Sequence, residues 1–154
     1  MDEKVISFIA KAKKQAYASE SAKPKKTKDG GKNYTIKEGD LVYTDNYFGN
    51  IIDSGQERVY LKGKVIWVMA YRGGVFERYK HLHQEAFNFL KKCISKMPKN
   101  FPARGPKLIK ERDWKYENNW EGSIEGFVGE ESIYFKENKI CFRNYLGGLI
   151  KNKK

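Results

Sequence analysis

The chain has 154 residues and a formal net charge of +12, with 40% hydrophobic and 14% aromatic residues. This length suits one domain, since two independent units of about 75 residues would each have a marginal core, and the apolar content excludes disorder over most of the chain. No apolar run approaches the ~20 residues of a spanning helix, and the N-terminus MDEKVISF carries acids where a secretory signal has a basic region, so a cytoplasmic protein without membrane contact is expected.

Val5, Phe8, Ile9, Ala12 and Ala16 form one helical stripe with Lys11, Lys13 and Lys14 off it, which predicts a helix from about Glu3 to Tyr17. Ala18 to Gly39 is rich in Ser, Lys, Gly and Pro without periodicity, so a long flexible loop is expected over residues 18–39. Leu41 to Phe48, Glu57 to Lys62 and Val65 to Tyr71 read as three strands, joined by Gly49 to Gly55 and by a tight Lys62-Gly63-Lys64 turn. Val65 to Tyr71 is apolar at both parities, which predicts that both faces are covered at least in part.

Ala86, Phe89, Leu90, Cys93 and Met97 repeat the helical stripe until Pro98 closes it. After a loop from Lys99 to Glu111, Trp114 to Trp120, Ser132 to Lys136 and Lys139 to Tyr145 supply a second set of strands, followed by the basic tail at residues 151–154. The order αβββ-αβββ predicts an α+β fold, an antiparallel sheet with both helices on one face.

The second half also repeats the first. With Gly55 to Phe76 set over Gly129 to Ile150, a shift of 74, eight of 22 columns are identical, among them Glu57/Glu131, Tyr60/Tyr134, Tyr71/Tyr145 and Gly73/Gly147. Residue frequencies alone would give roughly one or two. Upstream, at a shift of 73, Asp40/Asp113, Tyr43/Tyr116, Asn46/Asn119 and Gly49/Gly122 coincide. A tandem duplication follows, with repeats of about 1–78 and 79–150 forming a pseudo-twofold sheet around one core. It predicts that Val59, Ile66 and Val68 match Ile133, Ile140 and Phe142, all six buried.

Glu57 shares strand parity with Val59 and Leu61, and Glu131 with Ile133 and Phe135, so each glutamate leans toward an apolar face. A carboxylate there is paired with a base, lies at a solvated rim, or meets a ligand cation. The strand aromatics Trp67, Tyr71, Trp120 and Tyr145 exceed what packing a small sheet requires, and with Glu57 and Glu131 they are the candidate ligand-binding residues of an aromatic groove. Asp40/Asp113 and Asn46/Asn119 fit turns. Gly73-Gly74 fits strand-end geometry rather than a phosphate loop, because no helix follows its counterpart Gly147-Gly148.

His81-Leu82-His83 with Glu85 is a weak metal signal that nothing nearby completes, and Cys93 lies on a buried stripe where thiols are inert. No metal, cofactor or catalytic residue is predicted. Paired acids such as Glu57 and Glu131 could perform acid–base chemistry, but nothing in the sequence sets their separation. The positive charge invites nucleic acid, yet arginine supplies only six of the 31 basic residues, and much of the excess lies in Lys23 to Lys28 and the tail.

The segments Phe8 to Ala18, Tyr43 to Gly49, Val65 to Gly73, Pro102 to Pro106 and Gly126 to Glu131 resemble a prokaryotic domain of unknown function that occurs alone or after an Xre-type helix-turn-helix. With the first helix at the N-terminus, direct operator binding by this chain is not expected. The duplicated layout is also similar, up to circular permutation, to GyrI-like small-molecule-binding domains. That resemblance implies a ligand groove on the pseudo-twofold axis, often with a central glutamate. The function expected is a ligand-binding or sensor module for a small organic molecule, cationic or aromatic. The alternative is a nucleic-acid-binding accessory protein using its lysine surface.

Overall fold

The computed structural model describes residues 1–153. Its first helix, α1 (Glu3–Gln15), starts at Asp2, whose carboxylate accepts a hydrogen bond of 2.8 Å from the Lys4 amide. Val5, Phe8, Ile9 and Ala12 are buried as their spacing requires, and so is Lys13 beside them. The helix stops at Gln15, two residues short of the predicted end.

The expected loop over 18–39 is corrected. β1 (Lys25–Lys26) and β2 (Lys32–Glu38) lie within it, and β2 pairs along its whole length with β3 (Leu41–Gly49). The underlying pattern is short: Tyr34 is buried and Ile36 half-buried, alternating with Thr35 and Lys37. Lysines and glycines on both sides dilute that alternation in the sequence.

β4 (Ile52–Leu61) and β5 (Lys64–Val75) are longer than predicted, because the connection expected from Gly49 to Gly55 shrinks to a turn at Asn50-Ile51. A 3-10 turn (Glu77–Leu82) leads into α2 (His83–Ser95). The loop expected through Glu111 ends instead in β6 (Leu108–Glu111), followed by β7 (Trp114–Ser123), β8 (Gly126–Phe135) and β9 (Asn138–Leu149). The predicted αβββ order is therefore corrected: each helix is followed by four sheet strands, β2 to β5 or β6 to β9, with β1 as an extra edge piece.

All strands form one antiparallel sheet in the order β1-β2-β3-β4-β5-β9-β8-β7-β6, giving an α+β architecture. Within the sheet the halves join where β5 pairs with β9, from Trp67 opposite Leu149, through Tyr71 opposite Tyr145, to Val75 opposite Cys141. Met69 and Val75 share a face of β5. Met69 packs in a cluster with α1 residues and Val75 in one with α2 residues, so both helices cover the same face.

Among the described residues no helix covers the opposite face, and the cover expected there is partial, with Val68 and Ala70 half-buried. Val68 and Phe142 fall on that open face and are only half-buried, as is Ile66, whereas Val59, Ile133 and Ile140 are fully buried. The same face exposes Leu146 and Val128.

Glycine is required where strand backbone meets an aromatic ring. A Cβ on Gly129 would overlap the Tyr145 ring, while one on Gly126, at the start of the same strand, would meet nothing within 4 Å. Gly129→Ala is expected to cost about 1–3 kcal/mol and Gly126→Ala to stay within about 0.5 kcal/mol of wild type. Urea unfolding of both variants checks this.

Candidate functional site

Among the described residues, seven acidic or basic side chains are buried in the helix-covered layer: Lys13, Asp45, Asp53, Glu57, Arg104, Glu131 and Arg143. Buried charge is costly unless it is paired and hydrogen-bonded, so where each one goes determines what the face can do.

In the first half, Glu57 on β4 accepts hydrogen bonds of 2.7 Å to each oxygen from Lys13 Nζ, and one of 2.6 Å from the Tyr43 hydroxyl on β3. In the second, Glu131 on β8 accepts from Arg104 Nε at 3.1 Å to each oxygen, from Arg104 Nη2, and from the Tyr116 hydroxyl on β7 at 2.6 Å. The strand registers set both arrangements, with Asp45 opposite Glu57 and Asn118 opposite Glu131. A second tyrosine follows in each: Tyr71 donates to Asp45 Oδ1 at 2.7 Å, and Tyr145 donates to Asn118 Oδ1 at 2.5 Å.

A third ion pair lies where the halves join. Asp53, Gly73 and Arg143 are neighbours across β4, β5 and β9, and Arg143 forms a bidentate pair with Asp53 at 2.5 and 3.0 Å. Gly73 permits it, since a Cβ there would collide with Arg143. The corresponding row on β8, β9 and β5 is apolar, Phe127, Gly147 and Met69.

Three buried cations therefore face four buried carboxylates. Lys13 pairs with Glu57, Arg104 with Glu131, and Arg143 with Asp53. Asp45 is left with only the Tyr71 hydroxyl. Burial, and then the Glu57 charge, push its carboxyl up to about 7 against the Tyr71 hydrogen bond and the Lys13 and Arg104 charges. Burial also acts to raise Glu131, but the Arg104 charge and hydrogen bonds, Arg143 and Tyr116 outweigh it and hold that group below its ordinary value. Lys13 is lowered, because burial exceeds the attraction of Glu57.

Beside Asp45 lies a cavity of about 190 Å³. It is lined by Asp45, Tyr47, Asp53, Glu57, Tyr71 and Arg143 of the sheet, by Lys13 and Tyr17, by His83, Gln84, Phe87, Lys91 and Ile94 of α2, and also by Lys32 and Arg104. Two of its lining residues each carry a buried polar atom without a hydrogen-bond partner, the Tyr17 hydroxyl and Arg143 Nε. The latter stands 3.3 Å from Glu131 Oε1, within ion-pair range but not aligned for a hydrogen bond.

In the second half the chain itself fills the comparable place. The segment 98–107 lays Phe101 flat on Trp120, with centroids 4.3 Å apart and planes at 4°, and edge-on to Phe127. Its Gly105 carbonyl accepts from Asn118 Nδ2 at 2.7 Å. Lys107 Nζ lies over the Trp120 ring at 5.4 Å.

Of the residues singled out in the sequence, Glu57 and Tyr71 line the cavity. Glu131 is buried against Arg104, and Trp120 and Tyr145 belong to the filled half. Trp67 is fully buried, its Nε1 donating to the Ile124 carbonyl at 2.9 Å. Sequence reasoning missed Lys13, Asp45, Asp53, Arg104 and Arg143. Asp45 could have been found, since it shares strand parity with Tyr43 as Glu57 does with Val59. Lys13 borders the apolar stripe, four residues after Ile9.

His83 Nε2 lies 3.0 Å from the Asn50 carbonyl, and among the described residues no group of three or more His, Cys, Asp or Glu could hold a metal. Burial pushes the Cys93 and Cys141 thiols up to about 12, so neither offers a thiolate at neutral pH. No helix among the described residues is long and apolar enough to cross a membrane.

Lys13→Met strands Glu57 without a cation and is expected to cost about 3–5 kcal/mol. Adding Glu57→Gln, which removes the stranded charge yet can still accept from Tyr43, should recover part of that loss. A double-mutant cycle by urea unfolding measures the coupling.

Comparison with curated proteins and with solved structures gives no match. A family profile described as a domain of unknown function, DUF5680, matches residues 45–150. That stretch begins at Asp45 and takes in β4 to β9, α2 and every buried charge except Lys13. With more than half of its length and nearly all of its buried polar framework inside the match, the chain belongs to the DUF5680 family.

Proposed function

We propose that this protein is a small-molecule-binding module built from two copies of one helix-plus-strands unit, with its site in the cavity of the first half. The carrying observation is a cavity of about 190 Å³, lined by Tyr47, Tyr71 and Phe87 beside the buried carboxylate of Asp45, which has no cation paired to it. An enclosed apolar cavity of about 150 Å³ accepts benzene, so this one has room for a single aromatic ring with a short side chain. Native proteins rarely leave buried polar groups unmatched, and an occupant that partners the Tyr17 hydroxyl accounts for that one; Arg143 Nε already stands 3.3 Å from Glu131 Oε1.

The duplication is supported by the contacts. The shift of 74 that aligns Glu57 with Glu131 also aligns Tyr71 with Tyr145, and those tyrosines face each other across the β5–β9 seam. Each glutamate takes a tyrosine hydroxyl and a cation. The layout is in keeping with the GyrI-like resemblance, although here both glutamates are already paired with cations of the chain.

Gln84 is exposed at the cavity mouth, so Gln84→Trp should block entry without disturbing the core. Ligand-observed NMR with a panel of one-ring aromatic fragments should show binding to wild type that depends weakly on salt and is lost in Gln84→Trp. A mixed oligonucleotide run at two salt concentrations tests the lysine-surface alternative. No fragment binding, together with oligonucleotide binding that falls steeply with salt, would replace the small-molecule reading with that alternative.

A further inference from the structure

The filled half serves as an internal template for what the open half lacks. Trp120 and Asn118 stand 73 residues after Tyr47 and Asp45, the same shift that aligns Tyr43 with Tyr116. In the filled half, Trp120 is covered by the Phe101 ring and Asn118 is met by the Gly105 carbonyl, both supplied by the segment 98–107. In the open half Tyr47 and Asp45 border empty space. The chain that follows α1 runs to the sheet edge as β1 and β2; it stacks Tyr34 beside Tyr47 at 6.3 Å and lays Lys32 over that ring at 5.9 Å, but Tyr34 does not line the cavity, so the part of Tyr47 that borders it stays uncovered.

The change from Asn118 to Asp45 alters what the occupant must offer. Asn118 uses its amide nitrogen to donate to a carbonyl, whereas an ionised Asp45 can only accept, so its partner must be a donor. The buried charges point the same way, since three cation–carboxylate pairs leave Asp45 as the one carboxylate without a cation. One positive charge from outside completes the buried set; the half-buried Lys32 and Lys91 also line the cavity and oppose it, but neither pairs with Asp45.

We propose that the cavity takes an arylalkylammonium ion, its aromatic ring packed beside Tyr47 and its ammonium nitrogen hydrogen-bonded to Asp45. This rests on the small-molecule reading above and adds the charge of the ligand and the residue that selects it. The ring replaces Phe101 of the filled half, and the ammonium replaces the backbone group that Asn118 holds there. Glu57 and Glu131 do not carry the ligand's charge, because Lys13 and Arg104 already neutralise them.

Binding is then linked to pH through Asp45, which takes up a proton near neutrality. The groups that face it are Lys13 from α1, Tyr34 from β2, Tyr43 and Tyr47 from β3, Glu57 from β4, Tyr71 from β5 and Arg104 from the segment 98–107. His83 and Lys91 of α2, together with Asp53, Arg143, Lys32 and Tyr17, line the same cavity. His83 would also gain charge on acidification and repel a cation, so the pH effect is assigned by substitution at Asp45.

The test is an NMR titration of the full chain with 2-phenylethylamine, 2-phenylethanol and phenylacetate, which share one ring and differ in charge, at pH 8 and pH 6. The amine stays protonated at both, being a primary alkylamine like that of lysine. It should bind wild type at least about tenfold tighter than the alcohol at pH 8, and lose about tenfold at pH 6 as Asp45 becomes protonated. Asp45→Asn should abolish both the preference and the pH effect while retaining alcohol binding; Asn118 holds the matching tyrosine in the other half, so the substitution keeps the fold.

Phenylacetate or the alcohol binding as tightly as the amine would overturn the proposal, as would an amine preference that survives in Asp45→Asn. If such uncharged or anionic binding is lost in Gln84→Trp, the small-molecule reading stands while the cation is excluded. If none of the three binds wild type at either pH, the arylalkylammonium assignment fails, and the fragment panel decides the broader reading separately.

Discussion

Two glutamates sit where each half of the sheet meets the layer above it, and neither reaches water. A buried carboxylate must find a cation and hydrogen-bond donors or become protonated. The rest of the face is arranged around that requirement. Glu57 draws Lys13 down from α1, and Glu131 draws in Arg104, which brings the segment 98–107 over the second half. Tyr43 and Tyr116 complete the two carboxylates from neighbouring strands. Such pairs add little net stability over an apolar core, but breaking one is costly, so they fix which chain segment lies over which strand.

The source of the cation makes the halves unlike. A lysine on a helix neutralises Glu57 without bringing extra chain over the strands. An arginine in a loop carries its neighbours with it, and Phe101 and Gly105 close the space beside Trp120 and Asn118. The seam adds to the difference, with Asp53 and Arg143 on the open side and Phe127 and Met69 on the filled side. One framework thus yields a packed aromatic core in one half and a polar cleft in the other.

How much of this was legible in the sequence depends on what kind of pattern carried it. Periodicity revealed both helices, and alternation revealed the strands from Leu41 onward, because each buries several apolar residues in step. It missed β2 and β6, which bury little and read as lysine-rich loops. Parity correctly turned Glu57 and Glu131 toward the helix layer, yet their partners lie 44 and 27 residues away, on elements whose placement no local pattern encodes. The aromatics were chosen by type, and type does not tell Tyr71, beside the cavity, from Trp67, sealed in the core. Cover on both faces of β5, at least in part, was expected from its composition; on the second face it is partial, with Val68 and Ala70 half-buried and no helix above them among the described residues.

The central claim is that one buried carboxylate, Asp45, lacks a cation of its own. Its pKa in the folded chain then lies above that in the unfolded chain. The stability its proton contributes is accordingly full below about pH 4 and lost as the pH rises to about 7. A carboxyl-carbon NMR titration of the ligand-free protein reads this directly. The account predicts that Asp45 titrates near 7 while Glu131 stays ionised to below its ordinary range. An Asp45 that titrates near 4, like a solvated aspartate, would mean that its charge is already met within the chain, and would contradict it.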